Sequence, residues 1–204
     1  MLSLKGYHIQ MISNSHFTFL DDLKGKLLIA SPKLHGSYFE KAIIYLCEYN
    51  QFGAMGLVIN HILPESRKKL VFNQFDIPSV DYEQFPNLHL GGPVEITKGY
   101  ILHSDDYDKP STIKISSGYS LTSSKSVLND IIIGSGPKES IFTLGYAGWN
   151  AGQLQDEIND DSWLVTEASD DIIFNTKNIE KWSKATRKLG VNNIAHYSYE
   201  IGHA

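Results

Sequence analysis

The sequence predicts an α+β fold built on a mixed sheet. Three observations carry this expectation. Strand-like and helix-like segments are interleaved along the 204 residues. Two β-rich runs, AIIYLCEYN and AMGLVINHIL, flank the short turn Gln51-Phe52-Gly53 and read as a hairpin. The middle of the chain is strand-rich, and with the hairpin it breaks the regular βαβ alternation of a doubly wound sheet.

The elements follow in order. Lys26-Leu27-Leu28-Ile29-Ala30 is a short apolar run that stops at Ser31-Pro32, so it reads as a buried strand. Residues 37–40 look like a turn of helix, and the hairpin comes next. Pro64 opens PESRKKLVFNQF, a short helix with proline where a helix start tolerates it. Residues 76–87 hold two prolines and read as a surface connection. LHLGGPV, GYILH and STIKIS are further strands. Residues 123–133 read as a helix with Val127, Leu128, Ile131 and Ile132 on one side, closed by Gly134. A strand over 140–146, a helix over about 151–159 and a strand at SWLVTEA follow. The last helix covers roughly 178–189 and ends at Gly190.

Composition narrows the function classes. Net charge is −5, whereas nucleic-acid binders draw most of their affinity from basic contacts to phosphate. Cys47 is the single cysteine, so no internal disulfide forms, which suits a reducing cytoplasm. No apolar run reaches the ~18 residues of a membrane span. Polar His8, Gln10, Ser13 and Asn14 interrupt the N-terminus and break a signal-peptide core. The reading is a cytoplasmic protein. Residues 1–20 form an extension expected to be poorly ordered, with Met11 an alternative start, and residues 21–204 form one domain.

The stretch GYAGWNAGQLQDEI, residues 145–158, holds the densest chemistry. One reading is a strand-to-helix corner. Asn150 would cap the helix, Gln153 would complete a capping box, and Ala151, Leu154 and Ile158 would share the buried face. The other is a ligand turn presenting free N–H groups to an anion. No Gly-Lys-Ser/Thr follows, the G-x-G-x-x-G spacing is missing, and no Ser or Cys stands at the turn. A P-loop, a dinucleotide fingerprint and a nucleophile elbow are therefore excluded.

Several blocks carry a family resemblance: LLIASP, YFEKAIIYLCEYNQFGAMGLVIN, LGGPVEITKGYILH, LTSSKSVL, LGYAGWNAGQLQDEI followed by SW, and the closing GHA. In this order they resemble the AlgH/YqgE family from about residue 23 to the C-terminus. The resemblance implies a largely antiparallel mixed sheet, partly closed into a barrel and flanked by helices, in a bacterial cytosolic protein. Family members are commonly described as transcriptional regulators, with no assigned enzyme activity. This chain departs from the usual pattern at Ser31, at Gly36-Ser37 and at His61-Ile62, where a basic residue and Pro are usual.

The glycines of LGGPVE match the same pattern. Gly91, Gly92 and Pro93 are read either as a tight turn or as a cleft wall facing Gly145, Gly148, Trp149, Asn150, Gly152 and Gln153. His103-Ser104-Asp105-Asp106 reads as an acidic loop, because adjacent residues diverge and do not converge on a metal. Cys47 reads as a small buried hydrophobe. Lys177, Lys181, Lys184, Arg187 and Lys188 read as a solvated face of the last helix, with Ile179, Trp182 and Leu189 on its buried side. No helix-turn-helix partner precedes that helix, which disfavours direct DNA binding.

The first hypothesis is a regulatory or ligand-sensing protein that uses this cleft for a small anion or a protein partner, without cofactor or metal. The second is an enzyme using the same cleft, for which no nucleophile–base pair is visible. The third is an interaction module with an exposed apolar patch at Tyr38, Phe39 or Phe52.

Overall fold

The computed structural model describes residues 23–78 and 88–190. The N-terminal extension, most of the 76–87 connection and the closing GHA lie outside the described residues.

Among the described residues nine strands form one sheet: β1 (Lys26–Ala30), β2 (Ile43–Asn50), β3 (Gly53–Val58), β4 (Leu88–Leu90), β5 (Val94–Ser104), β6 (Thr112–Ser116), β7 (Tyr119–Thr122), β8 (Ser140–Asn150) and β9 (Trp163–Glu167). Among the described residues five α-helices join them: α1 (Glu65–Gln74), α2 (Ser126–Ile132), α3 (Gln153–Asn159), α4 (Asp170–Ile173) and α5 (Asn178–Lys188). The strand order is β6-β7-β5-β8-β3-β2-β1-β9. The pairings along this path are antiparallel, while β4 runs parallel to β8 beside it.

The sheet curls into a half-barrel. Ser116 on the terminal strand β6 reaches the far half of the sheet, where its Oγ lies 3.0 Å from Tyr45 Oη of β2. A Cβ built on Gly25, just before β1, would lie 2.8 Å from Ser116 Cβ. One continuous core fills the concave side. It takes Leu27 and Ile29, Ile43 and Tyr45, Leu57, Tyr100 and Leu102, Tyr119, and Ile172, Ile173 and Ala185 from the α4–α5 cover.

The convex side is buried too. Leu28, Ala30, Ile44, Leu46 and Trp149 pack under α3. Ile101, Phe142, Leu144 and Leu88 pack under α1 and α2. Alternate residues of β1 thus enter different cores, which is why LLIA is a continuous apolar run and not an alternating one. Each fully buried Leu or Ile there contributes about 1.5–3 kcal/mol. Cys47 is the extra residue at the bulge between Leu46 and Glu48. It is buried while Glu48 is exposed.

Several local expectations are corrected. Residues 37–40 form hydrogen-bonded turns and no helix, because Ser37 Oγ donates to Leu34 O at 2.7 Å and accepts from Phe39 N at 3.1 Å. Strand β7 and helix α4 are additional elements. They are four residues each, too short for periodicity to register. Strand β8 runs on through Asn150, so GYAGWN is strand and not a turn.

Candidate functional site

The two glycine stretches meet where β8 changes partner. Its first half pairs with β5 and β4, and its second half with β3. Gly145 sits at the changeover with φ +68, a region that glycine enters freely. A Cβ there would lie 2.5 Å from Gly92 O and 2.7 Å from Val94 O. A Cβ on Gly91 would overlap Gly145 O, and one on Gly92 the Tyr146 backbone. Gly91 also donates to Leu144 O at 2.8 Å and accepts from Val58 N at 2.9 Å. LGGPV and GYAGWN are therefore brought together, but in backbone contact and not across an opening.

The helix start keeps one half of the expected capping box and loses the other. Gln153 Oε1 accepts the Asn150 N–H at 3.0 Å. The capping residue is Gly152, at φ +78, and not Asn150. Glu157 locks the helix to the sheet. Its Oε2 accepts from the indole N–H of both Trp149 and Trp163 at 2.8 Å, and its Oε1 from Gln153 Nε2 at 2.9 Å. With seven residues in α3, this corner is mainly an anchor for Trp149.

Gly148, Trp149 and Asn150 do line a groove, of about 710 Å³, that runs between the β2–β3 turn and the start of β5. Its other walls carry Phe52, Glu48, Glu95, Lys98, Tyr100 and Tyr146. Between Val94 and Gly99, β5 bulges out of register with β8. Glu95 lies in that bulge at φ +48. A non-glycine residue in this region is strained and is held only when its surroundings fix it. Here Tyr100 Oη and Lys98 Nζ both donate to Glu95 Oε2, at 3.0 Å and 3.2 Å. These bonds hold the Glu95 carboxyl below its ordinary value. Burial and the Glu95 contact push the Tyr100 hydroxyl up to about 12. Across the groove, Phe52 is 81% exposed. The floor is polar and aromatic, with two carboxylates to one ammonium.

The AlgH-like family matches over residues 27–194. The chain belongs to that family. A UPF0301 protein of Ruegeria pomeroyi is 40% identical over 185 residues, covering 90% of this chain and all of that one. A UPF0301 protein of Pseudoalteromonas translucida is 37% identical over 187 residues, covering 91% and 100%. The solution structure of AlgH from Pseudomonas aeruginosa superposes with TM-score 0.72 at 36% identity, covering 89% of this chain and 96% of that one. A Corynebacterium diphtheriae crystal structure, at 17% identity, 81% and 86% coverage and TM-score 0.65, shares the fold.

The other residues singled out in the sequence of this AlgH-like protein stand outside the groove. His103 is buried, with Nδ1 2.8 Å from Ser104 O and Nε2 2.9 Å from Thr122 Oγ1. Asp105 accepts from Gly118 N, and Asp106 from Ser104 Oγ. Among the described residues no three His, Cys, Asp or Glu side chains converge as a metal set. Burial pushes the Cys47 thiol well up, which suits an inert thiol. No described helix is long and apolar enough to cross a membrane.

The α5 stripe is a correction. Lys181 is buried and Ile179 is 90% exposed, the reverse of the expected faces. The packed stripe is Asn178, Lys181, Trp182, Ala185 and Thr186, at the spacing i, i+3, i+4, i+7, i+8. Hydropathy misassigned it because a lysine occupies a core position. Glu95, Lys98 and Tyr100 escaped the sequence reading as well. Their one visible signal was the polar run EITK inside a strand-like segment.

Proposed function

We propose that this AlgH-like protein is a cytoplasmic bacterial regulator that acts indirectly on transcription, by seating a segment of a protein partner in the Phe52–Glu95 groove. The observation that carries this reading is Glu95. A strained residue holds its carboxylate in place through Tyr100 and Lys98, opposite an exposed aromatic ring. Strain of this kind concentrates at functional sites. The exposed side chains of Val94 and Ile96 stand beside Glu95 in the chain. The complementary occupant is a peptide segment that places a basic side chain on Glu95 and Glu48 and an apolar one against Phe52.

Electrostatics favours this occupant over a small anion in the groove, because two carboxylates line it. Direct DNA contact fits poorly. The basic stripe of α5 is broken up, with Lys181 buried and Lys184 paired to Asp171 at 2.7 Å.

An amide NMR titration tests the reading. The probes are a short peptide carrying Arg beside Leu, its Glu-for-Arg counterpart, inorganic phosphate and duplex DNA. The expected result is saturable shifts at Phe52, Glu95 and Gly148 with the Arg peptide alone, weakened in Glu95→Gln. Shifts there with phosphate or the acidic peptide, or DNA binding that falls steeply with salt, would overturn it.

A further inference from the structure

At the other end of β8, a second cavity of about 550 Å³ is lined by Ser140, Ile173, Thr176 and the start of α5, Lys177 to Ile179, with Lys181. Its volume falls within the usual range for small-molecule sites. Lys181 is 2% exposed. Its Nζ donates to Ile59 O at 3.0 Å and Ile173 O at 2.7 Å. An ammonium has three donors, and among the described residues the third has no acceptor. No carboxylate of the described residues pairs with Lys181 or Lys177. A buried charge without a counter-charge is costly unless something supplies one.

Three other polar side chains of the wall are hydrogen-bonded. Asn178 Oδ1 lies 3.1 Å from His89 Nε2. Thr176 Oγ1 accepts from Lys184 Nζ at 3.0 Å. Among the described residues Glu139 is the one carboxylate of the lining, against the two ammoniums of Lys177 and Lys181. The eleven-residue α5 opens at this wall, so the positive end of its dipole adds to theirs.

We propose that this cavity binds a small oxyanion, a carboxylate or a phosphate, with Lys181 as its buried counter-charge and Lys177 as its second cation. The site is separate from the groove, five residues away along β8 from Ile141 to Tyr146, or roughly 17 Å of strand. Its ligand is therefore distinct from the partner segment and positioned to modulate it through the shared strand.

The test is an amide NMR titration of the full chain with inorganic phosphate and with succinate, with chloride at matched ionic strength as control. Saturable shifts at Ser140, Lys177 and Asn178 are expected, and the tighter probe distinguishes a phosphate from a carboxylate ligand. Lys181→Met should weaken binding about tenfold or more, as loss of a charged hydrogen bond does. Lys177→Glu, at an exposed position, should do the same while leaving the fold intact. Lys188→Ala should bind as the wild type does. Two results would overturn the proposal: no saturable shift at these residues at tens of millimolar of either probe, or unchanged affinity in Lys177→Glu. Groove titrations with the Arg peptide report on a different set of residues, so the two readings fail separately.

Discussion

Gly91 and Gly145 touch backbone to backbone, so that a Cβ on Gly91 would overlap the Gly145 carbonyl oxygen. This contact is where β8 leaves β5 and takes up β3. The groove begins just beyond it, at Tyr146.

Replacing Gly145 by Ala should therefore cost about 2–4 kcal/mol, the sum of a strained φ and overpacking against two backbone oxygens. Gly118 is the control. It has φ +88 and nothing within 4 Å of its Cβ position. Gly118→Ala should lose only about 1 kcal/mol, from the backbone conformation alone. Urea midpoints of the two variants decide the point, and equal losses would mean that the crossing has room to give.

Glu157 should behave as the keystone of the α3 corner. Glu157→Ala leaves the indole N–H groups of Trp149 and Trp163 without their shared acceptor. A loss of about 2–3 kcal/mol is expected for these buried donors. Tryptophan emission should shift to the red as α3 loosens. Unchanged emission and stability would show that water replaces the carboxylate without cost.

Lys181 gives a pH signature of known sign. Burial lowers its ammonium from 10.5 to about 8. Between those values the unfolded chain holds the extra proton, so raising the pH favours the native state. Relative to Lys181→Met, the wild type should gain on the order of 3 kcal/mol as pH rises through this window. Urea titrations of both proteins from about pH 7 to about pH 10 in chloride buffer measure it. Parallel curves would mean that Lys181 is solvated.

Tyr100→Phe should release Glu95 without harming the fold. It removes the 3.0 Å bond to Oε2, and the Glu95 carboxyl should titrate closer to the ordinary value. Stability should change little, because the Tyr100 ring keeps its place in the core and only its bond to the exposed Glu95 is lost. Affinity for the Arg peptide should fall, since the carboxylate is no longer fixed in place. Side-chain carboxyl NMR reads the titration, and an unmoved Glu95 would show that Lys98 alone positions it.

The sequence by itself determined the strands of the hairpin, the positions of α1, α2 and α5, and a mixed sheet. Each follows from local chemistry: β-branched apolar runs in IIYLC and GLV, Pro64 before α1, and Gly190 after α5. Its ordered blocks also carried the family, and through it the partly closed barrel. Tertiary structure decided what local pattern could not. GYAGWN became strand because β3 offers Ala54 and Met55 as partners for Trp149 and Gly148, a pairing nearly a hundred residues distant in the chain. Lys181 turned inward and Ile179 outward because the carbonyls of Ile59 and Ile173 accept the ammonium from inside the core. Hydropathy ranks side chains by their transfer from water, and it has no means of seeing acceptors that only the folded chain brings to them.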